Sequence, residues 1–127
     1  MAKSIIYTAD APNPVGPYSQ AVMANDTLYA SGQIALNPST GTLVNDSIEA
    51  ETTQVMENLK AVLHAAGMTF ENVVSCSVFV ADINQYDKIN AIYGKYFDEA
   101  TAPARALVQV ANLPKFVNVE VSLIAVR

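Results

Sequence analysis

Two alternating stretches near the C-terminal end constrain the fold more than any other part of the chain. The alternation of apolar residues over residues 102–127 predicts two β-strands joined by a short loop around Leu113. Successive side chains of a strand point to opposite faces, so an apolar residue at every second position gives the strand one apolar face. Arg105 lies in the first strand and Glu120 in the second. We expect each on the less apolar face of a strand whose other face is core. From the pattern alone, a solvated sheet face is the commoner explanation.

The composition is that of a globular domain. The chain has 127 residues, of which 51% are hydrophobic and 15% charged, so residues 1–127 are predicted to form a single domain with a real core. The net charge is −5, and the seven Lys and Arg residues are scattered, which argues against nucleic acid as a partner. A small anionic ligand needs only one well-placed arginine and stays possible.

The sequence also bears on the cellular compartment of the protein. A single cysteine, Cys76, allows no intrachain disulfide. The N-terminal residues lack the apolar run of a secretory signal, and no apolar run approaches the ~20 residues needed to span a bilayer. We therefore expect a cytoplasmic protein with no membrane partner.

Periodicity and turn signals predict the order β-β-β-α-β-α-β-β. The first strands are predicted over residues 4–8, 18–24 and 27–34, the last two forming a hairpin about Asn25. A helix begins at Asp46, with Glu49 in a capping-box-like position, and ends at Gly67. A strand over 73–81, a helix from about residue 84 and the C-terminal strand pair follow. This order predicts an α+β domain with a six-stranded mixed sheet, both helices on one face and the other face open to self-association.

The C-terminal stretch resembles the signature of a known family. P-A-R-x-x-V-x-V-A-x-L-P-K-x-x-x-V-E-V, over residues 103–121, is similar to that of the reactive intermediate deaminase family, also called RidA or YjgF. Four further motifs match in order along nearly the whole chain: G-P-Y-S-Q at 16–20, S-G-Q-I at 31–34, A-A-G at 65–67 and N-A-I-Y at 90–93.

The resemblance implies both an architecture and an activity. It implies a chorismate-mutase-like fold assembled as a homotrimer, with three clefts between subunits. The implied activity is hydrolysis of 2-imino acids, such as 2-iminobutanoate and 2-iminopropanoate, to 2-keto acids and ammonia, with no cofactor and no metal. The ligand would be a small 2-imino or 2-keto acid.

Arg105 and Glu120 are the expected catalytic residues. An arginine is permanently charged and fits a carboxylate through two parallel hydrogen bonds, so Arg105 would anchor the substrate. Its alternative is a salt bridge to an acidic neighbour or an interface role. Glu120 would position or activate water, or else it neutralises Arg105 or lines a polar interface.

Five further residues are candidates for substrate binding by resemblance. Tyr18 would close the cleft from a neighbouring subunit, although a core or interface tyrosine fits equally. Ser31 and Gly32 would bring backbone groups near the substrate, although a strand-end turn is the commoner use of glycine. Asn90 would border the cleft, or bond only to its own surroundings. The backbone of Leu107 would bind a ligand held by Arg105.

The sequence departs from the family pattern directly after the arginine. The family often has Ser or Thr and then Cys or Val there, whereas this chain has Ala106 and Leu107, so no thiol is available at that position. The single histidine, His64, can assemble neither a metal site nor a triad. Two other functions stay open: a regulatory protein that binds small carboxylates in the same cleft, and a ribonuclease or translation inhibitor.

Overall fold

Six strands and two helices follow one another in the predicted order. The computed structural model describes residues 2–127. Its helices are α1 (Ile48–Ala65) and α2 (Tyr86–Tyr93). Its strands are β1 (Lys3–Ile6), β2 (Ala21–Ala24), β3 (Thr27–Gln33), β4 (Val73–Val80), β5 (Ala104–Gln109) and β6 (Val119–Val126). The predicted second strand was too long, since residues 18–20 lie in the preceding loop.

The strands form one mixed sheet in the order β1-β2-β3-β6-β4-β5. All neighbours are antiparallel except β4 and β5, which are parallel. The β2–β3 hairpin turns at Asn25, whose φ of 53° is a conformation that asparagine tolerates better than most residues. The α+β class, the mixed sheet and the hairpin are therefore confirmed.

The pairing of the two C-terminal strands was predicted wrongly. β4 lies between them: its Cys76 is opposite Arg105 of β5 on one side and Leu123 of β6 on the other. Because α2 crosses over between β4 and β5, those two strands run parallel, and β6 then pairs with the remaining edge of β4. The turn Pro114–Phe116 lies in the connection from β5 past β4 to β6.

The helices cover one face of the sheet, as predicted. α1 packs against α2, β3 and β6. The core includes the buried α1 stripe Val55, Met56, Leu59, Val62 and Leu63 and the alternating β6 residues Val119, Val121, Leu123 and Ala125. On the opposite face, Tyr29 is 50% exposed and Val108 46% exposed. Within residues 2–127 no helix covers this face.

The helix termini differ slightly from expectation. Ser47, not Asp46, caps α1, because its side chain accepts a hydrogen bond from the Ala50 backbone N–H, and Glu49 makes no capping box. Gly67, with a φ of 72°, follows the end of α1 as predicted. α2 begins at Tyr86 after a short 3-10 turn. Neither helix in residues 2–127 has the length and apolar character to cross a membrane.

Candidate active site

The Arg105 guanidinium is held between β5 and α2. Its Nη1 donates to Asn90 Oδ1 at 2.7 Å, and its Nη2 donates to Tyr86 Oη at 2.9 Å. Its Cζ atom lies 4.8 Å from the ring centroid of Tyr93, within the range of a cation–π contact. These three contacts fix the position and the plane of the cation.

The charge of Arg105 is not neutralised by these contacts. Both hydrogen bonds found for the guanidinium among residues 2–127 go to neutral oxygens. A guanidinium has five N–H donors, so three remain, which is enough for the paired hydrogen bonds of a carboxylate. The side chain borders a cavity of about 430 Å³ whose lining also includes Phe97 and Glu99.

The face assigned to Arg105 was predicted wrongly. Arg105 is opposite the buried Cys76 in the sheet and therefore points to the helix-covered side, whereas Ala104 and Ala106 are exposed. Ala104, Ala106 and Val108 thus lie on the open face, because α2 covers the other face at this edge. Strand alternation separates the two sets of residues but does not say which set a helix will cover.

Two buried groups lie behind the guanidinium. The Tyr93 ring is buried, and its hydroxyl has no hydrogen-bond partner among residues 2–127. Burial and the neighbouring Cys76 thiol raise the pKa of Tyr93 well above its ordinary value. Burial likewise raises the pKa of the Cys76 thiol. Both groups are therefore neutral near pH 7, and Arg105 carries the only charge of this trio.

Glu120 lies on the opposite face of the sheet, directly over Gly32. A Cβ atom at Gly32 would come within 2.9 Å of the Glu120 Cδ atom and closer still to Oε2. A Cβ atom at position 32 would displace the end of the Glu120 side chain, so glycine lets the carboxylate lie here. The lack of a side chain at Gly32 therefore makes space for the Glu120 carboxylate. Gly32 does not form a strand-end turn, because it lies within β3. The register of β3 against β6 shifts between Ala30 and Gln33, so Gly32 is part of a β-bulge.

The Glu120 carboxyl group is half-buried, and burial raises its pKa above the ordinary value. It lines a cavity of about 200 Å³ with Tyr18, Gly32 and nearby loop residues, among them Pro12, Asn13, Val15 and Lys115. Tyr18 is 51% exposed, and its hydroxyl accepts a hydrogen bond from the Val15 backbone N–H. A carboxyl group of this kind exchanges protons more readily near neutral pH than an exposed one.

Ser31 has a supporting position. Its hydroxyl donates to the Ser19 backbone oxygen at 2.6 Å, and its backbone N–H donates to the Gln20 carbonyl at 3.0 Å. The side chain thus ties the bulge of β3 to the loop that carries Tyr18.

Arg105 and Glu120 do not converge within one chain. They are two strands apart, and Glu120 is opposite Phe79, three residues along β4 from Cys76. Strand spacings of ~4.8 Å and a rise of ~3.3 Å per residue place their Cα atoms roughly 14 Å apart. Their side chains also point to opposite faces and line different cavities. The chain thus carries two half-sites: a cationic half-site (Arg105, Asn90, Tyr86 and Tyr93) and an acidic half-site (Glu120, Gly32 and Tyr18).

Comparison with known proteins decides the family. The model of the family described as Endoribonuclease L-PSP matches residues 8–127. A crystal structure of the Rid family protein YyfA from Yersinia pestis superposes with a TM-score of 0.96 at 48% identity, covering 99% of this chain and 100% of that one. The chain belongs to the RidA/YjgF family. The resemblance of the motifs is thereby confirmed.

Two further members of the RidA/YjgF family bear on function. Human 2-iminobutanoate/2-iminopropanoate deaminase is 44% identical over 127 residues, which cover 100% of this chain and 92% of the human protein. The structure of Escherichia coli TdcF with bound serine has a TM-score of 0.92 at 40% identity and covers 98% of each chain.

Leu107 presents backbone groups of β5 that do not pair with β4. The Val110 N–H donates to the Val80 carbonyl at 2.9 Å, which shows which side of β5 faces β4. Because alternate residues of a strand direct their backbone groups to opposite sides, the N–H and C=O groups of Arg105 and Leu107 point to the free edge of the sheet. They lie on the edge that borders the cationic half-site.

Sequence reasoning missed three contributors. Helical spacing indicates only that Tyr86 and Tyr93 share one side of α2, whereas in the structure both contact the guanidinium. No motif or spacing in the sequence marked Glu51, yet it is 1% exposed. Its carboxylate accepts hydrogen bonds from the Asn118 backbone N–H at 2.7 Å, from the Asn118 side chain at 2.8 Å and from the Val119 backbone N–H at 3.2 Å. It fixes the start of β6, next to Glu120.

Proposed function

We propose that this protein is a cytoplasmic deaminase that hydrolyses 2-imino acids to 2-keto acids and ammonia. The observation that carries the proposal is the guanidinium of Arg105, which is held in place by neutral groups and keeps three donors for an anion. The name of the human relative, at 44% identity, supports 2-iminobutanoate and 2-iminopropanoate as substrates.

The proposed site is shared between two copies of the chain in a homotrimer with a chorismate-mutase-like arrangement. Two observations support this assembly. The open sheet face exposes apolar side chains such as Tyr29 and Val108, and exposed apolar surface of this kind favours association. In addition, Arg105 and Glu120 can touch one small ligand only if they come from different copies, because they point to opposite faces of the sheet.

Each residue then has a defined role. Arg105 binds the substrate carboxylate, Asn90 holds the guanidinium, and the backbone of Leu107 adds a hydrogen bond at the free edge. From the neighbouring copy, Tyr18 closes the cleft over the reacting carbon. Gly32 leaves space for the Glu120 side chain. Ser31 stabilises the β-bulge that contains Gly32 through its hydrogen bond to the Ser19 backbone oxygen.

The reaction needs one water molecule and one proton carrier. The oxygen of water forms a bond to the electrophilic imine carbon while Glu120 accepts a proton from the water. Glu120 returns this proton to the nitrogen, which has received the electron pair of the carbon–nitrogen π bond, and a carbinolamine results. Glu120 then carries the hydroxyl proton of the carbinolamine to its amino group while the oxygen forms a double bond to carbon, so the carbon–nitrogen bond breaks and ammonia and a 2-keto acid are released. Alignment of reactants can lower such a barrier by up to ~7–11 kcal/mol, so a site without a nucleophile, cofactor or metal is adequate.

A coupled assay tests the activity. Threonine dehydratase forms 2-aminocrotonate and its imine in the presence of semicarbazide, which traps the imine, and 2-ketobutyrate release is followed with and without this protein. We expect faster release that disappears with Arg105→Ala. Absence of acceleration by a folded, assembled wild-type protein would contradict the proposal.

A regulatory protein that binds small carboxylates is the second candidate. The structure of Escherichia coli TdcF with bound serine favours it, since that relative holds an amino acid. Binding of 2-ketobutyrate without imine hydrolysis would support this role over catalysis.

A ribonuclease or translation inhibitor is a weaker candidate, despite the description of the family model. The chain has a net charge of −5 and one histidine, whereas RNA binding relies on basic surface. RNA cleavage that persists in nuclease-free Arg105→Ala protein would revive this candidate.

A further inference from the structure

Tyr86 is the least expected neighbour of Arg105. It is the first residue of α2 and is 40% exposed, so the core does not require its ring. Its Oη atom accepts the hydrogen bond from Nη2 at 2.9 Å, and its ring centroid lies 5.6 Å from the Arg105 Cζ atom. Tyr86 also lines the cavity of about 430 Å³ that Arg105 borders.

The hydrogen bond leaves the hydroxyl hydrogen of Tyr86 unused. Arg105 is the donor, because a guanidinium has no acceptor, so the hydrogen atom of the phenol points elsewhere. Across residues 2–127 the Tyr86 hydroxyl donates to no protein acceptor. A ligand oxygen in the cavity is therefore available as its acceptor.

The start of α2 is fixed relative to β5 at two points. Besides the contact of Tyr86 with Arg105, the Ile83 N–H donates to Gln109 Oε1 at 2.9 Å. Asp82 caps the intervening turn, since its Oδ1 accepts from the Asn84 N–H at 2.9 Å. Tyr86 is thus in place before a ligand arrives, which reduces the ordering cost of binding.

We propose that Tyr86 is a second recognition residue for the carboxylate of the substrate. It positions the guanidinium through Nη2 and donates its hydroxyl hydrogen to the carboxylate that Arg105 binds. The ligand class, 2-oxo and 2-imino carboxylates, comes from the proposed function, on which this inference rests. Tyr86 does not take part in the bond-making steps.

The test compares Tyr86→Phe with Tyr96→Phe in the assembled protein. The control also removes one tyrosine hydroxyl hydrogen bond, from Tyr96 Oη to Glu57 at 2.8 Å, but away from Arg105. Titration calorimetry gives the Kd of 2-ketobutyrate, and the coupled assay gives KM and kcat. For Tyr86→Phe we expect Kd and KM to rise roughly tenfold, as for loss of a hydrogen bond to a charged group, with kcat changed by less than about twofold. Tyr96→Phe should match the wild type.

A second measurement reports on positioning alone. The chain has only two arginines, Arg105 and Arg127, so ¹⁵N NMR can resolve their side chains. We expect hindered rotation of the Arg105 Nη groups in the wild type and in Tyr96→Phe, and faster averaging in Tyr86→Phe.

The outcomes separate the two proposals. A wild type that binds 2-ketobutyrate without hydrolysing imines would refute the deaminase function, while the Kd comparison would still decide the role of Tyr86. Wild-type affinity in Tyr86→Phe, or a wild type that binds no carboxylate, would overturn the recognition role. Equal Nη averaging in wild type and Tyr86→Phe would overturn the positioning role.

Discussion

The cationic and acidic half-sites differ in how far one chain completes them. Arg105 is fixed by Asn90, Tyr86 and Tyr93, under a helix and with both hydrogen bonds in place. Glu120 lies over Gly32 on the uncovered face, half-buried, in a cavity walled largely by loops.

This difference suggests a division of labour. A permanently charged anchor gains from being fixed before binding, because less freedom is lost when the ligand arrives. A proton carrier needs a raised pKa and access to water instead, and the surroundings of Glu120 provide both. The half-sites belong to opposite faces of one sheet, so association of copies is what would bring them together.

The largest effect is expected from Arg105→Ala. Loss of the anchor should lower kcat/KM by about 10²–10³-fold, because the substrate carboxylate loses two charge-assisted hydrogen bonds. Size-exclusion chromatography should show the same oligomeric state for this variant as for the wild type. Arg127→Ala is the matched control, since it also removes one arginine. The only side-chain hydrogen bond found for Arg127 in residues 2–127 goes to the Ala66 carbonyl at 3.3 Å. Near wild-type turnover in Arg105→Ala would remove Arg105 from the site.

Glu120→Gln should affect turnover rather than binding. Loss of the proton carrier should lower kcat by about 10²-fold, while the Kd of 2-ketobutyrate changes little. Glu49→Gln, on the exposed first turn of α1, makes the same charge change and should leave both constants unaltered. A weakened affinity with normal kcat would instead assign Glu120 to binding.

Gly32→Ala should act through Glu120. The added methyl group meets the carboxyl group and must displace it, so we expect kcat to fall roughly tenfold. A double-mutant cycle sharpens this prediction: once Glu120→Ala has removed the carboxyl group, Gly32→Ala should cost little more. Equal losses in both backgrounds would show that Gly32 matters for another reason, such as close approach of the ligand.

The smallest effect concerns stability. Because burial raises the pKa of Glu120, the folded protein disfavours its ionised form more than the unfolded chain does. Wild-type stability should therefore decline as pH rises from the ordinary pKa of glutamate, about 4.3, through the raised value. Glu120→Gln should lack this decline and melt at a slightly higher temperature near pH 7. Thermal unfolding at fixed protein concentration measures the difference, and a lower melting temperature for Glu120→Gln at neutral pH would contradict it.

Much of the fold follows from local pattern. Alternation and helical spacing locate all eight elements, and the hairpin about Asn25 follows from its turn residues. The pairing of the C-terminal strands does not, because insertion of β4 between β5 and β6 depends on contacts distant in sequence. The cap of α1 was misplaced by one residue, since Asp46 and Ser47 both suit an N-cap.

The sequence predicted most residues of the candidate site but not how they are arranged in space. Motifs identified Arg105, Glu120 and Asn90, and in the structure Asn90 accepts a hydrogen bond from Arg105. Pattern could not reveal that Arg105 and Glu120 point to opposite faces, because that depends on which face the helices cover. The role of Gly32 was equally hidden, since the group that needs its space lies 88 residues further along the chain.

Complementation between inactive variants tests the shared site most directly. Arg105→Ala and Glu120→Ala proteins are unfolded, mixed in equal amounts, refolded together and assayed for imine hydrolysis against each variant refolded alone. If each site takes Arg105 from one copy and Glu120 from another, random assembly restores about one quarter of the wild-type sites. If both residues serve a site within one copy, the mixture stays as inactive as its components, and the shared site is wrong.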